Sequence, residues 1–341
     1  MKRETGYKKH ADKRFRLTRR KLMLALGAGV LLPLPTLAQE QGKVARIGFL
    51  NASSAAFGKT RIDAFLAGMR ELGHVDGKDI AMIYRHGDGN LDRLPDLAAE
   101  LVNLNVDLIV AAGLPAARAA KQATATIPIV MTGGDPVRAG LVASLARPGG
   151  NVTGLSDGTV NISMKRLEML KEISPRISHV AMLWNPSNPT NPLQVKDTEE
   201  AARIMKMTLQ AVPVKGIDDF ARAFTAIKKG GASGLLVPGD PMFNAQTKLI
   251  TDFAAKNRLP AVFISSMATR NGGLMSYGIS FEELYRRLAT FADKVLKGVK
   301  PADIPVEEPT RLELIVNLKT ADALGIKIPN SILLRADKVI K

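Results

Sequence analysis

From residue 44 onward one unit repeats: an apolar run of strand length ending in Gly, Asn or Asp, then a segment whose apolar residues recur with helical spacing. That alternation predicts an α/β fold. The first run, 44–51, precedes a helix over 61–72, where Ile62, Phe65, Leu66, Met69 and Leu72 share one face. Further strands are expected at 80–84, 106–112 and 127–131. Between them Leu94, Leu97, Leu101 and Val102 mark a second helix, and Pro115 opens a third, because its fixed φ suits a first helical position. The pattern pauses at 147–154 (RPGGNVTG), read as a crossover between two halves, and resumes with a helix over 164–173. The second half is expected to hold strands at 179–184, 209–214, 234–237 and 261–264 and a helix over 191–207. A last long helix, 281–296, turns Leu284, Leu288, Phe291 and Val295 inward, and the proline-stiffened connector 300–309 leads to a strand at 312–317.

With 341 residues, 46% hydrophobic and 23% charged, the chain has globular composition and room for two cores. It contains no cysteine, which excludes disulfides, a thiolate nucleophile and a thiolate zinc site. The net charge of +16 suggests nucleic acid until its distribution is examined: residues 1–38 hold ten basic and two acidic side chains, half of the excess. Behind them lies the uncharged run 22–38, broken by Pro33 and Pro35 and ending in small residues. This is the layout of a secretory signal peptide, expected to span 1–38, and Thr18-Arg19-Arg20-Lys21-Leu22 resembles a twin-arginine signal. The expected location is therefore the periplasm, with no nucleic-acid partner.

In open parallel sheets ligands bind beyond the carboxyl ends of the strands. In the first half those ends carry Asn51, Ser53 and Ser54, the turn Gly113, Leu114, Pro115 and Ala116, and Asp135. In the second they carry Asn185, Asn188 and Asp240. Small polar groups at so many strand ends, without a paired acid and base, suggest a binding cleft. The competing reading is that these residues are only turn formers and helix caps. A ligand carboxylate would approach the backbone at Gly113 and the helix start behind it, while Asp135 or Asp240 would face a ligand amine. Tyr277, where the chain is expected to recross between halves, is a further candidate contact. Trp184 reads as strand core. The stretch 154–158 (GLSDG) matches a nucleophile elbow, but the one later histidine, His179, opens a strand and leaves no room for an acid before it. No metal or cofactor motif is present in the sequence, and none is expected to be needed.

Five stretches, 132–142 (TGGDPVRAGLV), 147–157 (RPGGNVTGLSD), 272–278 (GGLMSYG), 303–310 (DIPVEEPT) and 312–325 (LELIVNLKTADALG), together resemble the substrate-binding proteins of ABC transporters of the tryptophan- and tyrosine-binding kind. The resemblance implies a two-lobed type I periplasmic-binding-protein fold, each lobe a mostly parallel sheet flanked by helices. The implied lobes are 44–155 with 278–305, and 156–277 with 306–341, joined by crossovers near 154–157, 275–279 and 303–310. It also implies contacts from Asn51, Ser53, Ser54, 113–116 and Asp135 in one lobe and Asn185, Asn188 and Asp240 in the other. The implied function is a monomeric, non-catalytic importer component that hands a small polar solute to an inner-membrane permease. The loop after Asp240 departs from the family pattern, reading Pro-Met-Phe-Asn244 where an Asp-Asn pair is common. An exported hydrolase or isomerase is the alternative, and a regulator of the same fold would need a DNA-binding segment where the leader stands.

Overall fold

The structure is a computed structural model that describes residues 44–156, 162–308 and 312–341. The expected leader, the end of the first crossover and part of the third lie outside the described residues. No helix among the described residues is long and apolar enough to cross a membrane.

The first sheet has the order β2-β1-β3-β4-β5 and is parallel throughout, built from β1 (Ala45–Asn51), β2 (Ile80–His86), β3 (Leu108–Ala112), β4 (Ile129–Gly133) and β5 (Val152–Ser156). Strands β3 and β4 are buried at every position, as their unbroken apolar runs require when helices cover both faces. Helix α1 (Ala55–Glu71) begins earlier than its apolar stripe indicated, because the Ser54 hydroxyl accepts the Phe57 N–H at 3.3 Å and caps the helix. Helices α2 (Leu94–Asn103) and α3 (Leu114–Ala123) cover the opposite face. At Gly154 the backbone φ is +140°, and a Cβ there would sit 2.1 Å from the Met131 carbonyl oxygen; only glycine lets β5 lie this close to β4.

The second half follows with α4 (Ser163–Ile173), β6 (His179–Trp184), α5 (Thr190–Ile204), β7 (Thr208–Pro213), α6 (Asp219–Gly230), β8 (Gly234–Val237), α7 (Pro241–Ala245), α8 (Thr247–Lys256), β9 (Ala261–Phe263), α9 (Ser266–Arg270) and β10 (Met275–Ile279). The chain then returns to the first lobe. Helix α10 (Phe281–Leu296) packs along α1, where Leu284, Leu288 and Phe291 join Phe49 and Phe65 in one core. Val306 also belongs to the first lobe, its N–H bonded to the Leu145 carbonyl at 2.8 Å, and Glu307 bridges to β5 at Leu155. The last segment supplies β11 (Leu312–Asn317), α11 (Leu318–Leu324), α12 (Asn330–Arg335) and β12 (Lys338–Ile340) to the second sheet. Its order is β12-β11-β10-β9-β8-β6-β7, with β10 and β11 the antiparallel pair. Sheet membership therefore changes slightly later than the expected boundaries at 278 and 306.

Candidate functional site

Each parallel strand is followed by a helix running back, so the carboxyl ends of the first sheet and those of the second carry loops and helix starts. These two sets of loops meet. A Cβ at Gly134, just after β4, would lie 2.8 Å from the Thr190 Cγ2 at the start of α5. One at Gly89 would lie 3.4 Å from the Met242 Cα in α7. Arg138 in the first lobe pairs with Asp197 on α5 at 3.1 Å. The lobes thus touch across the cleft at each of these places.

The second lobe contributes a buried polar network. Asp240 caps α7, its Oδ1 accepting the Met242 N–H at 2.8 Å and the Phe243 N–H at 3.3 Å. Its Oδ2 accepts from the side-chain amides of Asn188 at 2.8 Å and Asn185 at 3.2 Å. Burial raises the Asp240 pKa, working against those four hydrogen bonds, which favour the charged form. Asn191 extends the network, accepting the Asn185 N–H and donating to Gln194 and to the Gly239 carbonyl. Asn185, Asn188 and Asp240 are therefore brought together, with both Asp240 oxygens engaged by the chain's own donors.

The first-lobe candidates lie at the ends of neighbouring strands. Asn51 and Ser53 are buried, and the Asn51 Oδ1 accepts the Ser53 N–H at 3.0 Å; Ser54 is half-buried as the cap of α1. Gly113 has φ +97° and its N–H is held by the Thr132 hydroxyl at 3.0 Å, which in turn meets the Tyr285 hydroxyl at 3.2 Å. No side chain caps α3, and Leu114, Pro115 and Ala116 form its buried first turn. The Asp135 Oδ1 accepts the N–H groups of Val137 and Arg138, so its carboxylate caps a turn. Tyr277 lies on β10, half-buried against the core beneath α4 and α5.

A cavity of about 450 Å³ opens between the lobes, lined on one side by Asp88, Gly89 and Asn90 and on the other by Asn185, Lys215 and Asp218. Of the expected contacts, Asn185 lines it. The 88–92 loop was missed by sequence reasoning although His86-Gly-Asp-Gly-Asn90 after β2 carries the same small polar signature as the other strand ends. A second missed group is Arg166 on α4. It occupies a position on the same helical stripe as Leu167 and Leu170, which a charged residue rarely takes, and it is fully buried.

Comparison with known proteins follows the same direction as this geometry. Residues 52–340 match the family model described as ABC transporter substrate binding protein. A tyrosine-binding protein of Clostridioides difficile strain R20291 is 32% identical over 266 residues, covering 77% of this chain and 76% of the relative. Among solved structures, an ABC domain in complex with L-Trp from Streptococcus pneumonia superposes with a TM-score of 0.81 at 28% identity, covering 87% of this chain and 99% of the other. The ligand-free, open structure of a substrate binding protein with adhesive properties from Clostridium difficile superposes at 0.63 with 27% identity, covering 87% and 100%. At nearly equal sequence distance, the chain is closer in shape to the ligand complex than to the open form.

Proposed function

Since the chain belongs to the family of ABC transporter substrate-binding proteins, we propose that it is the solute-capturing component of an importer, exported to the periplasm, that closes on a small polar solute and hands it to a permease. The lobes are those expected from the sequence, with the return to the first lobe falling after Ile279 and the return to the second after Glu307, and they hinge about the three crossovers. The solute belongs to the amino acids or aromatic carboxylates, the class to which the tyrosine and L-Trp of the relatives belong. Asn51, Ser53, Ser54, the 113–116 turn and Asp135 face it from one lobe, and Asn185, Asn188 and Tyr277 from the other. Asp240 orients the asparagine pair. Specificity arises because a polar group left unpaired in a shut cleft costs about 1–3 kcal/mol.

The observation that carries this reading is the contact across the cleft, Gly134 against Thr190 and Arg138 paired with Asp197, which brings buried polar networks of two separate sheets face to face. The test is isothermal titration of the chain lacking residues 1–38 with amino acids and aromatic carboxylates, followed by recovery of the solute. One class is expected to bind with a single site and to be recovered unchanged; chemical conversion of the bound solute would overturn the reading.

A further inference from the structure

Arg166 is the one fully buried cation among the described residues, and none of its three guanidinium nitrogens has a hydrogen-bond partner. A buried charge without a counter-ion is among the most costly arrangements a side chain can adopt, so one retained in a folded core marks a missing partner. Burial lowers the Arg166 pKa to about 10, which leaves the group charged at neutral pH.

The position of α4 says where that partner would come from. A Cβ at Gly234, the first residue of β8, would lie 3.3 Å from the Leu170 Cδ1, so Leu170 packs at the amino end of the strand. Arg166 stands one helical turn earlier, about 6 Å nearer the carboxyl ends that face the first lobe. Helical side chains lean toward the helix amino terminus, which carries the guanidinium further the same way. Other unmet groups lie on this side of the sheet. Gln194, on the neighbouring α5, has its Nε2 buried without an acceptor, and so does the Trp184 Nε1. Trp184 continues the face of β6 on which Met182 joins the α4 core. Ser163, at the start of α4, has an unmet hydroxyl. The unmet nitrogens are all donors, and among the described residues no acidic side chain pairs with them: Asp240, the buried carboxylate of the second lobe, spends both oxygens on its own network.

We propose that Arg166 is the receptor for a carboxylate of the captured solute, with the Gln194 amide and Trp184 indole N–H as supporting donors. The inference deepens the solute-capture reading and rests on it. The planar guanidinium offers two parallel N–H bonds to a carboxylate, a geometry that an ammonium does not reproduce. The acid end of the solute therefore enters the second lobe, and the first lobe reads the remainder.

The test compares the wild-type chain, Arg166→Met and Arg166→Lys by thermal shift, first without ligand and then with matched probes: L-tyrosine against tyramine, L-tryptophan against tryptamine, benzoate against benzamide, and D-ribose as a neutral control. Without ligand, Arg166→Met is expected to melt at or above the wild-type temperature, because an unpaired buried charge has been removed. With ligand, the acid of a pair is expected to stabilise the wild type while its partner does not, Arg166→Met to lose at least 100-fold in affinity, and Arg166→Lys, which keeps the charge, at least tenfold. Equal binding by Arg166→Met, or by the member of a pair that lacks the carboxylate, overturns the proposal. Stabilisation of all three proteins by D-ribose alone removes Arg166 from the site and leaves solute capture standing. If no probe stabilises the wild type, the ligand-free comparison decides: a lowered melting temperature in Arg166→Met means the guanidinium is a partnered structural group, and an unchanged or raised one supports the unmet cation.

Discussion

Asp240 concentrates the chemistry of the second lobe at one carboxylate. It accepts two backbone N–H groups as a helix cap and two asparagine amides as a clamp. Replacing it by Ala removes the cap and leaves two buried amides without an acceptor, so the ligand-free chain is expected to lose about 3 kcal/mol in urea unfolding. Solute affinity should fall with it, because Asn185 and Asn188 lose the group that orients them. Unchanged stability with lost binding would mean instead that Asp240 meets the solute directly. Asn185, Asn188 and Asp240 were legible in the sequence because each follows a clear apolar strand, where short polar residues have few other duties. Their mutual bonding was not, since Asn185 and Asp240 are brought together only by the pairing of β6 with β8. Arg166 was hidden for a different reason: a long charged residue on a helix reads as surface unless its place on the apolar stripe is weighed.

The elements themselves were largely written in the hydrophobic pattern. Strands β6 and β8 and helix α10 begin and end where the apolar runs do, while α1 starts earlier because a cap, and not a stripe, sets its first turn. The attachment of α10 to the first lobe could not be read from spacing, because it depends on side chains far apart in sequence. Besides its apolar face, α10 is held by His74, whose Nδ1 meets Asp79 at 2.7 Å and whose Nε2 meets Asp293 on α10 at 3.0 Å. Burial alone would lower the His74 pKa, but the hydrogen bonds and charges of the two carboxylates outweigh it and raise the pKa above the ordinary imidazole value. A raised imidazole pKa stabilises the fold below the unfolded-state value and ceases to do so as pH rises through the folded-state value. The depressed Asp79 and Asp293 act in the opposite sense, their contribution fading as pH falls through the folded-state carboxylate values. Comparing wild type with His74→Asn by urea unfolding, the difference is expected to be largest between the carboxylate and imidazole ranges and to shrink on both sides. A difference independent of pH would assign His74 a packing role.

At the scale of the molecule, two α/β lobes face each other across loops rich in small polar residues, and the chain as a whole is nearer in shape to a ligand-bound relative than to an open one. The repeat of strand and helix made the two halves legible, whereas the apposition of the lobes depends on contacts such as Arg138 with Asp197, which no local pattern announces. The central claim is closure on a solute that leaves unchanged. Because the chain has no cysteine, Asn103→Cys and Lys229→Cys, exposed positions on α2 and α6, would carry a fluorophore pair at two defined points, one on each lobe. Energy transfer between them is expected to rise as the solute is added and to return on dilution; transfer that stays constant while the solute binds would contradict the account.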